Sequence, residues 1–251
     1  MESSSVRVRN AATVVIIRPG SAKRDPQSGS DSLSMELYML KRSARSPFLP
    51  DTMVFPGGVV DEKDIAPGDT LGDAASYCTA ACRETFEECN LVLDPLSLRW
   101  FDTWKTPEGE SSRRFSARFF VTMIAAGTGD EARPDGHETT AGFWGSPARF
   151  LDLWRKSALD LPIPTLCVLL ALDRDPDRVL RSPPADDLEV PILPRIRSAP
   201  SSHRFGAVGT TVVLPHDPVY ADLPGEPSLI PERARAYPSR FVREQNRWQP
   251  C

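Results

Sequence analysis

The chain has 251 residues, 40% hydrophobic and 25% charged, and its 30 Lys and Arg against 34 Asp and Glu leave a formal net charge of -4. This suits one globular domain of about 150 to 200 residues plus extra material; the absence of a basic block excludes an extended nucleic-acid backbone as partner, and no apolar run approaches the roughly 20 residues of a membrane-spanning helix. The five cysteines, Cys78, Cys82, Cys89, Cys167 and Cys251, are odd in number and lack paired CxxC spacing, so they read as reduced thiols in an intracellular protein and not as a disulfide or zinc framework.

The first residues, MESSSVRVRN, contain no signal-peptide apolar region, and the last three, Gln249-Pro250-Cys251, are not a Ser-Lys-Leu address. The expected location is therefore inside the cell, the cytoplasm by default. Ala11 to Ile17, with its Val and Ile run, reads as a buried strand. Pro19 to Ser34 is rich in Ser, Gly, Asp and Lys and reads as a loop. Met35 to Lys41 is a second strand, and Thr52 to Phe55 a short third one entering Pro56-Gly57-Gly58. Two consecutive glycines let backbone approach a ligand without an intervening side chain.

Ala74 to Cys89 holds no Gly or Pro and reads as a helix, with Asp73 placed to cap its start and Asn90 suited to the left-handed residue at its end. Arg83-Glu84-Thr85-Phe86-Glu87-Glu88 sets three carboxylates at relative positions i, i+3 and i+4, on one helical face. Like charges so spaced repel by a few tenths of a kcal/mol per pair. Such a stripe either faces water or binds a cation, and oxygen ligands suit Mg²⁺ or Mn²⁺. Ala75, Thr79, Cys82, Phe86 and Cys89 fall opposite and form the expected core face. Beyond the helix, Leu98 to Trp104, Arg114 to Ile124 and Ala141 to Trp144 read as strands, and Pro147 to Ser157 and Pro164 to Asp173 as helices opened by proline. From residue 176 prolines become dense, and only Ala207 to Leu214 reads as a strand. The expected organisation is a domain over residues 1–175 and a Pro-rich C-terminal extension over 176–251, partly ordered and packed on the domain, with a disordered tail as the competing reading.

The stretch from Gly58 to Leu91 resembles a Nudix box, the signature of hydrolases that cleave a nucleoside diphosphate linked to another group: Gly58 supplies the first Gly, and Arg83, Glu84, Glu87, Glu88 and Leu91 fit the second half. Thr85 and Asn90 depart from the pattern, and 24 residues separate Gly58 from Arg83 where the family has 13. An insertion of that size, at about residues 61–73, costs little closure entropy. The isolated Glu of the pattern falls on Asp64 counting forward and on Ala75 counting back. The resemblance implies an α/β (α+β) Nudix fold, an α/β/α sandwich around a mixed β-sheet. It also implies an Mg²⁺- or Mn²⁺-dependent diphosphatase, with Glu87, Glu88 and the Gly57 carbonyl as metal ligands. Glu84 would be a further ligand or a base, Arg83 its orienting partner, and Glu138 a metal-binding or water-activating residue from a separate loop.

Leu40-Lys41-Arg42-Ser43 ahead of Phe55-Pro56-Gly57-Gly58, with Trp104 to Pro107, Arg113 to Phe120 and Leu161 to Thr165, is similar to the peroxisomal and mitochondrial acyl-coenzyme A diphosphatase branch, whose box is enlarged. The resemblance covers residues 11 to about 175 and leaves a mitochondrial or peroxisomal location open beside the cytoplasmic default. It implies cleavage of coenzyme A or an acyl derivative to 3',5'-ADP and the phosphopantetheine half. Arg42, Arg45, Arg113 and Arg114 are the candidates for gripping a 3'-phosphate, since a guanidinium binds phosphate bidentately, or else they are ordinary surface charge. An ADP-ribose, nucleotide-sugar or NADH diphosphatase is the second reading, and a nucleotide-binding module without chemistry the third.

Overall fold

The computed structural model describes residues 6–20, 35–46, 48–70, 72–109, 113–197, 207–245 and 247–251. Most of the loop expected over Pro19 to Ser34 lies outside them. Strands β1 (Val8–Pro19), β2 (Met35–Arg42), β3 (Met53–Val54), β4 (Gly57–Val59), β5 (Arg99–Lys105), β6 (Arg114–Met123) and β7 (Thr139–Gly145) form one sheet around helices α1 (Ala74–Cys89), α2 (Pro147–Arg155) and α3 (Ile163–Arg174). Its main order is β3-β2-β1-β6-β5, with β4 added to β1 and β7 to β2. The sheet is mixed because β1 and β6 run parallel, from Val8 opposite Arg114 to Ile17 opposite Met123, while the other pairings are antiparallel.

Side chains alternate along a strand, so a strand buried on both faces feeds two cores. On β1, Ala12, Val14 and Ile16 join Tyr77, Ala80, Ala81 and Cys89 of α1 in one cluster. Val15 and Ile17 join Phe150, Leu151 and Leu166 of α2 and α3 in the other. Each such Val or Leu stabilises the fold by about 1.5 to 3 kcal/mol relative to exposure. Helix, sheet and helices thus form three layers around the expected sandwich.

α1 has the expected bounds, and Asn90 closes it in the left-handed region, its N–H donating to Phe86 O at 2.8 Å. Two expectations about it are corrected. Asp73 stands at the N-cap, but its carboxylate accepts from the Thr70 N–H (2.7 Å) and Oγ1 (2.9 Å) of the preceding loop instead of capping the helix. The core face is Ser76, Tyr77, Ala80, Ala81, Thr85, Glu88 and Cys89; Ala75 and Thr79 are exposed, and Phe86 is 51% exposed. Small Ala80 and Ala81 let the helix axis approach the sheet, and that close fit outweighs the burial of a single phenylalanine.

The C-terminal segment packs as a second unit of structure on the same core. Short α4 (Ala185–Glu189) leads to β8 (Arg195–Arg197), β9 (Thr211–Val213), β10 (Arg240–Glu244) and β11 (Arg247–Pro250), ordered β11-β10-β9-β8 and wholly antiparallel. Val212, Leu214, Phe241 and Trp248 share the cluster of Leu151, Trp154 and Leu166. Asp102 on β5, fully buried, ties the segment down: it accepts from Arg233 Nε (2.7 Å), the Tyr237 hydroxyl (2.7 Å), Trp104 Nε1 (2.9 Å) and the Thr103 amide (2.8 Å). No helix among the described residues is long and apolar enough to cross a membrane.

Candidate active site

The two glycines that open β4 create the site because neither position tolerates a Cβ. Gly57 has φ +149°, and a Cβ there would overlap Ala12 O of β1; at Gly58 it would overlap the Glu84 carboxylate. Backbone and carboxylate therefore lie in direct contact. The Gly57 N–H donates to Glu88 Oε2 at 2.9 Å across the α1–β4 interface. Glu88 is buried, and its carboxyl is pushed up to about 8, chiefly by that burial. The Gly57 N–H and the Arg42 charge oppose the shift, and the Glu84 and Glu138 charges add to it. Burial likewise raises Glu84 against the pull of its Arg83 bond, with Glu87 and Glu138 adding repulsion.

Arg83 organises this charge. Its Nε and Nη2 grip the two oxygens of Asp64, each at 2.8 Å, Nη2 also donates to Val59 O (3.0 Å), and Nη1 donates to Glu84 Oε1 (2.8 Å) and Glu87 Oε2 (3.0 Å). Asp64 is buried, which alone would raise its pKa, yet the Arg83 guanidinium and the Asp61 amide hold it below the ordinary value. Forward counting from Gly58 thus lands on the residue that pairs with Arg83, and Ala75 is exposed on the helix. Glu87 is turned outward, between Arg83 and Lys63 Nζ at 3.3 Å.

Glu138 reaches the site through a loop that the end of α1 holds in place. The amides of Arg133 and Asp135 donate to Cys89 O (2.9 Å) and Glu88 O (3.0 Å), using carbonyls the helix leaves unpaired. Asp135, a residue the sequence reading passed over, then gathers the His137, Glu138 and Thr139 amides on its carboxylate. The only hint of it was an Asp-Gly pair three residues before Glu138. The Glu138 carbonyl accepts from the Ser43 amide at 2.8 Å, which ties this loop to the end of β2.

The candidate arginines divide. Arg42 sits at the end of β2 opposite Thr139, its head on Ser46 Oγ (2.6 Å) and Phe48 O (3.0 Å) and its charge within reach of Glu88. Arg45 is exposed on the next turn. Arg113 and Arg114 are not brought to the carboxylates: Arg114 pairs with Val8 on β1 whereas Gly57 pairs with Thr13, five residues or about 16 Å along the strand. Arg114 is buried there against Glu226 at 2.6 Å, with Nε on Thr106 O at 3.1 Å, so its guanidinium anchors the C-terminal segment. Exposed Arg113 stands beside it.

The donors fit a hard divalent cation. All are oxygen, three carboxylates crowd one another at the negative end of α1, and Glu88 has a single N–H to offset its burial. Among the described residues no three His, Cys, Asp or Glu side chains close into a ready-made cage. Mg²⁺ is ordinarily held by one or two carboxylates together with water and substrate phosphate.

The sequence profile of the NUDT19 Nudix domain matches residues 8–68, from β1 through the insertion as far as Gly68. A curated relative, Putative nudix hydrolase 7 of Caenorhabditis elegans, is 48% identical over 56 residues, 22% of this chain. The match spans 17% of that relative's length. Among solved structures, the NUDIX hydrolase from Alicyclobacillus acidocaldarius superposes with a TM-score of 0.56 at 24% identity, over 69% of this chain and 94% of its own. The NUDIX domain of Shewanella oneidensis NrtR, solved with ADP ribose, gives a TM-score of 0.45 at 12% identity, over 67% and 88%.

Proposed function

We propose that this chain is a Nudix hydrolase, a divalent-metal-dependent diphosphatase acting on coenzyme A or an acyl-coenzyme A. The match of residues 8–68 to the NUDT19 Nudix domain and the 48% identity to a nudix hydrolase over 56 residues support that reading. The observation that carries the hydrolase reading is the buried Glu88 carboxylate on the Gly57 N–H, beside Glu84 and Glu138. Glu84, Glu87, Glu88 and the Gly57 carbonyl would hold Mg²⁺ or Mn²⁺, with Glu138 completing the set. Bound there, the ion supplies charge neutralisation on the diphosphate oxygens and an acidified water.

The chain's own groups do the positioning. Arg83 Nη1 fixes one oxygen of Glu84 and leaves the other free, and the Asp64 fork stops Arg83 from turning away. Glu84 or Glu138 accepts the proton of the attacking water, and burial raises the Glu84 carboxyl toward that role. Arg42, anchored by Ser46, holds positive charge at the edge where a diphosphate would enter, and Arg45 lies beyond it for a 3'-phosphate. The Leu40 to Ser43 motif ahead of Phe55-Pro56-Gly57-Gly58 supports coenzyme A as substrate. Five free thiols support a reducing, intracellular compartment.

Purified protein with Mg²⁺ or Mn²⁺ should release 3',5'-ADP from coenzyme A and its acyl esters in a panel that also holds ADP-ribose, NADH and a dinucleoside polyphosphate. Glu87→Gln and Glu88→Gln should each remove nearly all turnover. Cleavage confined to ADP-ribose or NADH would overturn the substrate. Binding without any product would overturn the chemistry.

A further inference from the structure

We propose that the opposite face of the sheet carries a second binding site, for a straight-chain aliphatic anion. An open cleft of about 620 Å³ lies between the end of β2, β3, α2 and the β10–β11 hairpin, within the usual range for a small-molecule site. It is separate from the carboxylates. Residues alternate along β2, so Lys41 points into the cleft on the face of Met39 while neighbouring Arg42 turns toward Glu88.

Charge selects the ligand's head. Lys41, Arg149, Arg243 and Arg247 face the cleft against only two carboxylates, Asp51 and Asp160. Arg243 grips Asp160 with both terminal nitrogens (2.9 and 2.6 Å), and Lys41 stands 3.3 Å from Asp51. Arg247 donates to the last carbonyls of α2, Trp154 O (2.9 Å) and Arg155 O, and is a fixed charge there. Arg149 is exposed and makes no ion pair among the described residues, so its whole guanidinium is open to a ligand anion.

Shape and polarity select the tail. Met53, Phe150, Leu153 and Leu159 line the cleft, and Phe143, 46% exposed on β7, forms its lip. An exposed phenylalanine beside an unpaired guanidinium gives a chain-like ligand both halves of its surface. The walls are fixed: the Met53 N–H donates to Asp160 O at 2.9 Å, and Asp160 is the residue held by Arg243. The carboxylate or phosphate head would sit on Arg149 beside Lys41, and the tail would run over Phe150 toward Leu159.

This site does not depend on the diphosphatase reading. Metal-free full-length protein should bind dodecanoate saturably, one per chain, in calorimetric titration, and far more tightly than acetate. Arg149→Glu, at an exposed position, should raise the dissociation constant at least tenfold with an unchanged melting temperature, while Glu88→Gln leaves it unaltered. Dodecyltrimethylammonium should not compete. The proposal is overturned by absence of saturable dodecanoate binding, by Arg149→Glu binding as wild type, or by equal binding of the cationic detergent.

Discussion

Glu88 carries the largest consequence for a single residue, because its carboxyl is pushed up to about 8 in the folded chain and titrates near 4.3 when unfolded. Between those values the folded state binds the extra proton, so stability falls as pH rises through the window. The melting temperature of metal-free protein should therefore drop from pH 5 to pH 8. Glu88→Gln should flatten that slope, and added Mg²⁺ should recover the loss at pH 8. The adjacent glycines should separate stability from turnover. Gly57→Ala places a Cβ on Ala12 O at a strained φ and should cost about 1 to 3 kcal/mol in urea unfolding. Gly58→Ala instead pushes the Glu84 carboxylate aside and should lower kcat by more than it lowers stability. The carboxylates and glycines were legible in the sequence because a fixed spacing carries them. Burial of Glu88 was not, since identical charges at i and i+4 look alike until a sheet covers one.

At the scale of an element, α1 was legible in its bounds and misread in its orientation. Propensity and caps are local, whereas the buried side depends on where β1 and β4 approach. Ala80 and Ala81 mark that approach, but a pattern of apolar residues gives alanine little weight. The insertion before α1 shows the same division. Spacing alone left Asp64 and Ala75 as equals, and the Arg83 fork separates them. Asp64→Asn keeps the shape and loses the charge, so Arg83 should release Glu84 and turnover should fall by about 10- to 100-fold. Urea unfolding would check that the fold survives; a variant with unchanged kcat and KM would remove Asp64 from the machinery. The loop holding Glu138 belongs to this scale too, because α1's terminal carbonyls fix it through Arg133 and Asp135.

Across the whole molecule, the segment after residue 176 was the least legible part. Its dense prolines left a packed, partly ordered extension and a disordered tail as competing readings, and what ties it down is Arg233 and Tyr237 reaching back about 130 residues to Asp102, a pairing no local pattern reveals. Removing one partner of a buried ion pair leaves the other unpaired, so Arg233→Met should cost about 3 to 5 kcal/mol, read by urea unfolding with Tyr237→Phe as a milder comparison. The parallel joint of β1 with β6 bears on how this chain is made. Residues near position 10 find β4 on one side early but gain their parallel partner on the other only when residues near 120 exist, and the core under β1 is completed by Phe241 and Trp248. Contacts so distant in sequence slow folding, and at about 5 to 20 residues per second the nascent chain spends many seconds with β1 unpartnered on one side. Synthesis at reduced temperature, or with a chaperone that shields exposed strands, should raise the soluble yield of this protein.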